Sequence, residues 1–201
     1  MASSLSGSPP RFSLRRPSMN GQSQGKSSCE PSQTFQHREL IPVKVNQLWR
    51  LEQGMVRTLT WNMDGTIATL GIWGAGDIVG ASLSAGTPFQ IECLSDVQAC
   101  PIPNTDGCCF RAMCSYLCQM ETLLAIAHAK RVSHRLMQLL SWLGQRFGDR
   151  TELGLSIDLP MTHQDLAEAI GTSRVTVTRM LNSLQREGLL QFSHKRYTLL
   201  H

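Results

Sequence analysis

The chain has 201 residues, 41% of them hydrophobic, and a formal net charge of +4, enough for one or two domains with proper cores and no need of a disulfide framework or structural metal. No apolar run approaches the ~18 residues of a membrane span, and seven cysteines are an odd set suited to reduced thiols, so a soluble cytoplasmic protein is expected. Charge is unevenly placed: residues 1–57 hold eight Lys/Arg and three acids, residues 58–110 none and five, residues 111–201 eleven and seven, which puts any contact with a polyanion in the last part.

Residues 1–36 are rich in Ser, Pro, Gly and Gln, with Arg11, Arg15 and Arg16 and no acid before Glu30. They bury too little apolar surface to offset their ordering entropy and are expected to form a disordered tail. The same composition fits an organellar transit peptide or a start codon placed too early.

From Leu48 short apolar runs alternate with turn residues: 48–51 before Gly54, 55–61 before the Asp64-Gly65 hairpin signal, 66–73 before Gly74 and Gly76, then 78–79, 90–94 and 97–102. Five or six antiparallel strands at this spacing predict a small β-roll over residues 37–108, shortened at its N-terminal edge. Cys93, Cys100, Cys108, Cys109, Cys114 and Cys118 fall in and just after it. Small buried hydrophobes explain such thiols; a metal- or redox-responsive regulator using Cys108, Cys109, Cys114 and Cys118 is the alternative. No CxxC pair is present.

Residues 109–147 are free of proline and compatible with helix. Met113, Leu117, Met120, Leu124 and Ala127 alternate steps of four and three, the a/d spacing of a two-stranded coiled coil. They predict a dimerisation helix over 109–132, or else core packing against the roll. The polar and cationic stretch 128–135 suggests a break, with Ser133 as a possible cap and a new helix from Arg135 to Phe147. Residues 150–159 then form a linker or a strand pair ending at Pro160.

In residues 162–188 Thr162 and Asp165 have capping-box spacing, Leu166 and Ile170 share a buried face, and Ala167 lets a second helix cross closely. Gly171 stops that helix and Ser173 caps the next. Val177, Leu181 and Leu184 make its apolar stripe, with Met180 beside it; Arg174, Val175, Thr178 and Arg179 lie on the opposite face. Guanidinium groups can bond a guanine edge bidentately and a branched methyl surface can meet a thymine methyl, so this face suits the major groove. Two β-prone runs follow around Ser193-His194-Lys195-Arg196, a cationic tip suited to phosphates. A helical hairpin within a core, its arginines a solvated edge, is the bland alternative.

Ser173-Arg174-Val175-Thr176-Val177-Thr178-Arg179 resembles the S-R-E-T-V-x-R recognition element of the Crp/Fnr transcription regulators. With Val175 in place of glutamate, and Ala167-Glu168-Ala169-Ile170-Gly171 before it, it looks like the branch of the cyanobacterial global nitrogen regulator. The resemblance implies that Arg174 and Arg179 read bases, that Val175 shapes the half-site, and that His163, Gln164 and Thr176 touch phosphates. Ser173, Lys195 and Arg196 join the phosphate set on position and charge, and Thr178 the base-facing set.

Gly74-Ala75-Gly76-Asp77-Ile78-Val79-Gly80 resembles the glycine-rich turn before the family's ligand cassette. Ala81 stands where cyclic-nucleotide-binding members have a glutamate, and Pro88-Phe89-Gln90 occupies the neighbourhood of their arginine. A phosphate buried without a cation is costly, which argues against cAMP. It argues equally against 2-oxoglutarate unless Arg50, Arg57 or a partner subunit supplies the charge, and no cofactor is expected.

The expectation is therefore an α+β homodimer: shortened antiparallel β-roll, long dimerisation helix, and a winged helix-turn-helix over 133–201. It binds an inverted repeat in double-stranded DNA, works with RNA polymerase, and by resemblance controls nutrient-acquisition genes of a cyanobacterium, as an activator, with nitrogen ahead of sulfur and phosphate. A dimeric interaction protein without DNA specificity is the other alternative. Nothing points to an enzyme or a membrane partner: the six histidines are scattered and no P-loop is present.

Overall fold

Short alternating strands separated by tight turns produce two facing sheets. The structure is a computed structural model that describes residues 31–44, 46–84, 87–103, 106–193 and 196–200, the side chains of 106–109 lying outside the description. Its first half holds β1 (Gln33–Phe35), β2 (Leu40–Ile41), β3 (Gln47–Gln53), β4 (Val56–Trp61), β5 (Ile67–Trp73), β6 (Ile78–Val79), β7 (Gln90–Cys93) and β8 (Val97–Pro103). They pair antiparallel in the orders β1-β8-β3-β6 and β2-β7-β4-β5. Gly54, between β3 and β4, has φ +86° and its missing Cβ lets the Asp96 carbonyl approach, so only glycine serves there.

Two of these strands, β1 and β2, precede the first expected strand. β1 lies inside the stretch read as a disordered tail, with Phe35 buried and set edge-on against Trp49 at 5.4 Å. A three-residue strand with one inward side chain has no period to detect, and its partner residue Val97 is far along the chain. Residues 1–30 of that expected tail lie outside the described residues.

The second half holds α1 (Asp106–Ala127), α2 (Val132–Phe147), β9 (Asp149–Thr151), β10 (Gly154–Asp158), α3 (His163–Ile170), α4 (Arg174–Arg186), β11 (Leu190–Ser193) and β12 (Arg196–Leu200). The expected break falls between α1 and α2, but α2 begins at Val132, with Ser133 inside it and no side-chain cap at Arg131. Burial of Leu136, Leu139, Leu140 and Leu143 anchors this helix in place of a cap. Residues 149–158 are a strand pair rather than a linker, and β10 continues the wing sheet, ordered β11-β12-β10-β9.

Helix α1 carries two adjacent stripes. Ala112, Gln119, Leu123 and Ile126 are buried; beside them Tyr116 stacks on Trp73 at 5.4 Å, and the Gln119 side chain accepts from the Ile72 amide at 3.1 Å. The neighbouring stripe is bare: Met113, Leu117 and Leu124 are 50, 59 and 60% exposed, with Ala127 exposed and Met120 half-buried. The predicted seam is therefore a separate face from the one packed on the roll. Elsewhere roll and C-terminal domain share a core in which Ile72 and Leu94 join Leu136, Leu140, Leu166 and Ile170.

Candidate nucleic-acid interface

Helix α3 starts as its sequence requires. Asp165 N–H donates to the Thr162 hydroxyl at 3.2 Å and the Thr162 N–H donates to the Asp165 carboxylate at 2.7 Å, a complete capping box. Gly171 ends it with φ +63°, the left-handed conformation that closes a helix. Ser173 caps α4 by accepting from the Thr176 N–H at 3.2 Å. With Leu166, Ala167, Ile170, Val177, Leu181 and Leu184 buried, α4 is pinned to α3 along its apolar stripe while its first turns stand proud. Arg174 and Arg179 are exposed, and Val175 is 65% exposed.

The other predicted contacts are placed differently. The Thr178 hydroxyl lies 3.0 Å from the Arg174 carbonyl and 2.9 Å from His163 Nδ1, so it ties α4 to α3. Burial, then the Arg174 charge, holds His163 below its ordinary pKa. Gln164 is exposed and bonds Glu168 at 2.8 Å. The Ser173 and Thr176 hydroxyls pair at 2.9 Å. In the wing, Arg196 is exposed and forms a two-pronged pair with Asp158 at 2.7 and 2.8 Å; Lys195 and His194 lie outside the described residues.

Beside this helix pair is an ionic cluster that sequence reasoning missed. Arg57 of β4, buried at 4% exposure, donates from Nε to Glu92 of β7 at 2.6 Å and from Nη1 to Glu168 of α3 at 2.7 Å, with Asp165 3.1 Å away. Arg38, in the turn between β1 and β2, bonds the same Asp165 at 2.6 and 2.9 Å and Glu92 at 3.1 Å. Burial opposes ionisation of Asp165, but hydrogen bonds from Arg38 and from the Thr162 N–H, with the Arg57 charge, hold its carboxyl below the usual range. A lone arginine in a strand of otherwise apolar and hydroxyl side chains was the available signal, because a buried guanidinium needs a carboxylate. A second link joins the domains where the Asp77 carboxylate accepts from the Gly74 N–H at 2.8 Å and from Arg146 of α2 at 2.6 Å.

Arg57, considered from the sequence as a cation for an effector, is thus committed to three carboxylates. The roll's interior is filled by Phe35, Trp49, Trp73, Val79 and Ile91. A cleft of about 340 Å³ lined by Met55, Ser95, Asp158, Leu159 and Pro160 lies at the domain junction instead. Cys93 and Cys100 are buried and Cys114 and Cys118 exposed, while the side chains of Cys108 and Cys109 lie outside the described residues. Among the described residues no group of His, Cys, Asp and Glu is placed to hold a metal, and no helix is long and apolar enough to cross a membrane.

Comparison with known proteins agrees with this geometry. The Crp-like helix-turn-helix domain matches residues 130–201. Regulatory protein CysR of Synechococcus elongatus is 36% identical over 154 residues, 75% of this chain and 75% of that protein. The global nitrogen regulator of the same organism is 33% identical over 99 residues, 49% of this chain and 45% of that protein. Among solved structures, FixK2 from Bradyrhizobium japonicum superposes with a TM-score of 0.72 at 18% identity, covering 84% of this chain and 91% of that one. The chain belongs to the Crp/Fnr family and is a DNA-binding transcription regulator.

Proposed function

We propose that the chain works in the cytoplasm as a homodimer on an inverted-repeat operator, activating nutrient-acquisition genes through RNA polymerase. The observation that carries this is the start of α4, where Arg174, Val175 and, one turn on, Arg179 stand in solvent while Val177, Leu181 and Leu184 are sunk in the core. Such a helix start enters a major groove with base-reading groups foremost. Gln164, Ser173, Thr176, Lys195 and Arg196 flank it as phosphate contacts. His163 and Thr178, bonded to each other, hold α3 to α4 and stand beside that face, His163 with the phosphate set and Thr178 with the base-facing set. The bare stripe Met113, Leu117, Met120, Leu124 and Ala127 is the dimer seam, since an apolar a/d row left in water is what a second helix covers. The twofold axis then sets two recognition helices about 34 Å apart. The match to CysR along three quarters of both chains, against about half for the nitrogen regulator, supports a role of the CysR kind ahead of nitrogen control.

The test is selection from random duplex DNA by the purified full-length chain without added effector. Enrichment of an inverted repeat supports the proposal. A bound pool without a motif, repeated with 2-oxoglutarate, cAMP and cell extract, refutes it in favour of an interaction protein that has lost DNA specificity.

A further inference from the structure

The ionic cluster at Arg57 sits where the roll grips the DNA-reading element itself, beside the apolar contact of Ile72 and Leu94 with Leu166 and Ile170. Its three carboxylates come from β7 (Glu92) and α3 (Asp165 and Glu168), and its two guanidiniums from β4 and the turn after β1. Asp165 belongs at once to this cluster and to the capping box of α3. From α3 the contacts run on through His163 to Thr178 in α4, one residue before Arg179. Arg38 has φ +71°, a left-handed conformation uncommon for a residue with a side chain; its amide is secured by a 2.8 Å bond to the Cys93 carbonyl, and its guanidinium reaches across to the other domain. The reading face of α4 stays exposed in this arrangement, so the cluster is compatible with DNA contact.

We propose that Arg57, assisted by Arg38, is a positioning residue for DNA reading: by clasping Asp165 and Glu168 to Glu92 it fixes the angle of α4 relative to the roll, and so sets the half-site spacing the dimer accepts. This rests on the dimeric inverted-repeat function above. Without the clasp the domain is joined to the roll by the break between α1 and α2, by the Asp77–Arg146 pair at the end of α2 and by apolar contacts, about which it can swivel. A hydrogen-bonded guanidinium fork has defined directions and resists that motion. Released from the clasp, two heads that each hold the reading orientation about a third of the time bind the operator about tenfold more weakly, and they also reach half-sites the clasped dimer cannot.

The experiment measures dissociation constants of the full-length wild-type chain, Arg57→Ala, Arg57→Lys, Arg38→Ala and Glu168→Gln on the selected operator and on versions with one or two base pairs inserted between half-sites. Each insertion displaces a half-site by about 3.4 Å and turns it by about 35°. Wild type is expected to lose affinity steeply on insertion. The variants are expected to bind the original operator about tenfold more weakly and to show a spacing penalty smaller by a similar factor, with Arg57→Lys intermediate. Should Arg57→Ala fail to fold, Arg38→Ala and Glu168→Gln, which leave Arg57 in place, carry the test. A spacing penalty equal to wild type in the folded variants, whatever their affinity, overturns the clasp and leaves the dimeric function standing. A wild type indifferent to inserted base pairs overturns both.

Discussion

Arg57 Nη1 lies 2.7 Å from a carboxylate oxygen of Glu168, 111 positions further along the chain. Both side chains are largely buried, at 5 and 12% exposure. Removing one partner of a buried pair strands the other charge away from water. Arg57→Met should therefore destabilise the chain by about 3–5 kcal/mol in urea unfolding near neutral pH. A loss under about 1 kcal/mol, the worth of a surface pair, would mean that the cluster is open to solvent. The Asp165 carboxyl, held below its ordinary 3.8, contributes stability that is present above that value and lost as pH falls through the lowered one.

Arg174 is exposed at the start of α4. Arg174→Ala should cost roughly 1–3 kcal/mol and relax discrimination at one half-site position. Lys195→Ala should weaken all sequences alike and flatten the salt dependence by about one counterion. Binding to variant operators across a salt series separates the two; an equal loss on random DNA for Arg174→Ala removes its base-reading role.

Leu117 is 59% exposed in the bare stripe of α1. Leu117→Glu should convert a dimer to a monomer in sedimentation velocity and abolish tight operator binding. Its own fold should be nearly unaffected, within about 0.5 kcal/mol as for other surface positions. A dimer persisting in this variant would place the interface elsewhere.

His163 is held below its ordinary value of 6.5 by burial and by Arg174. The unfolded chain therefore binds the proton first, so His163 stabilises fully above pH 6.5 and loses that contribution as pH falls through the lowered value. Denaturant unfolding of wild type and His163→Gln between about pH 5 and 7.5, around the free histidine value, should show the steeper decline on acidification in wild type. Parallel curves would place the ring in water in the folded state.

Cys93 is buried with its thiol pushed up to about 12, by burial first and by Glu39, Glu92 and Asp96 after it. Cys114 and Cys118 are exposed. Alkylation of the native chain mapped by mass spectrometry should label those two and spare Cys93 and Cys100 until denaturant is added. Labelling of Cys93 at a rate like that of Cys114 would show that the roll opens readily.

What the amino-acid order decided alone was everything held within a few residues: the Thr162/Asp165 capping box, the left-handed stop at Gly171, the Ser173 cap, and the stripes of α1 and α4. These depend on backbone groups left over at helix ends and on periods of 3.5 or 3.6 residues, which any local window contains. From the same sequence came the observation that residues 58–110 hold five acids and no Lys or Arg, an imbalance without a named partner. Tertiary structure alone decided where the countercharges come from: Arg38 and Arg57 meet Glu92, and Arg146 meets Asp77 across 69 positions. It also decided that β1 closes an edge of the roll and which of two adjacent apolar stripes on α1 is covered. Ion pairing and burial follow distance in space, and the packing that brings such groups together involves every element between them.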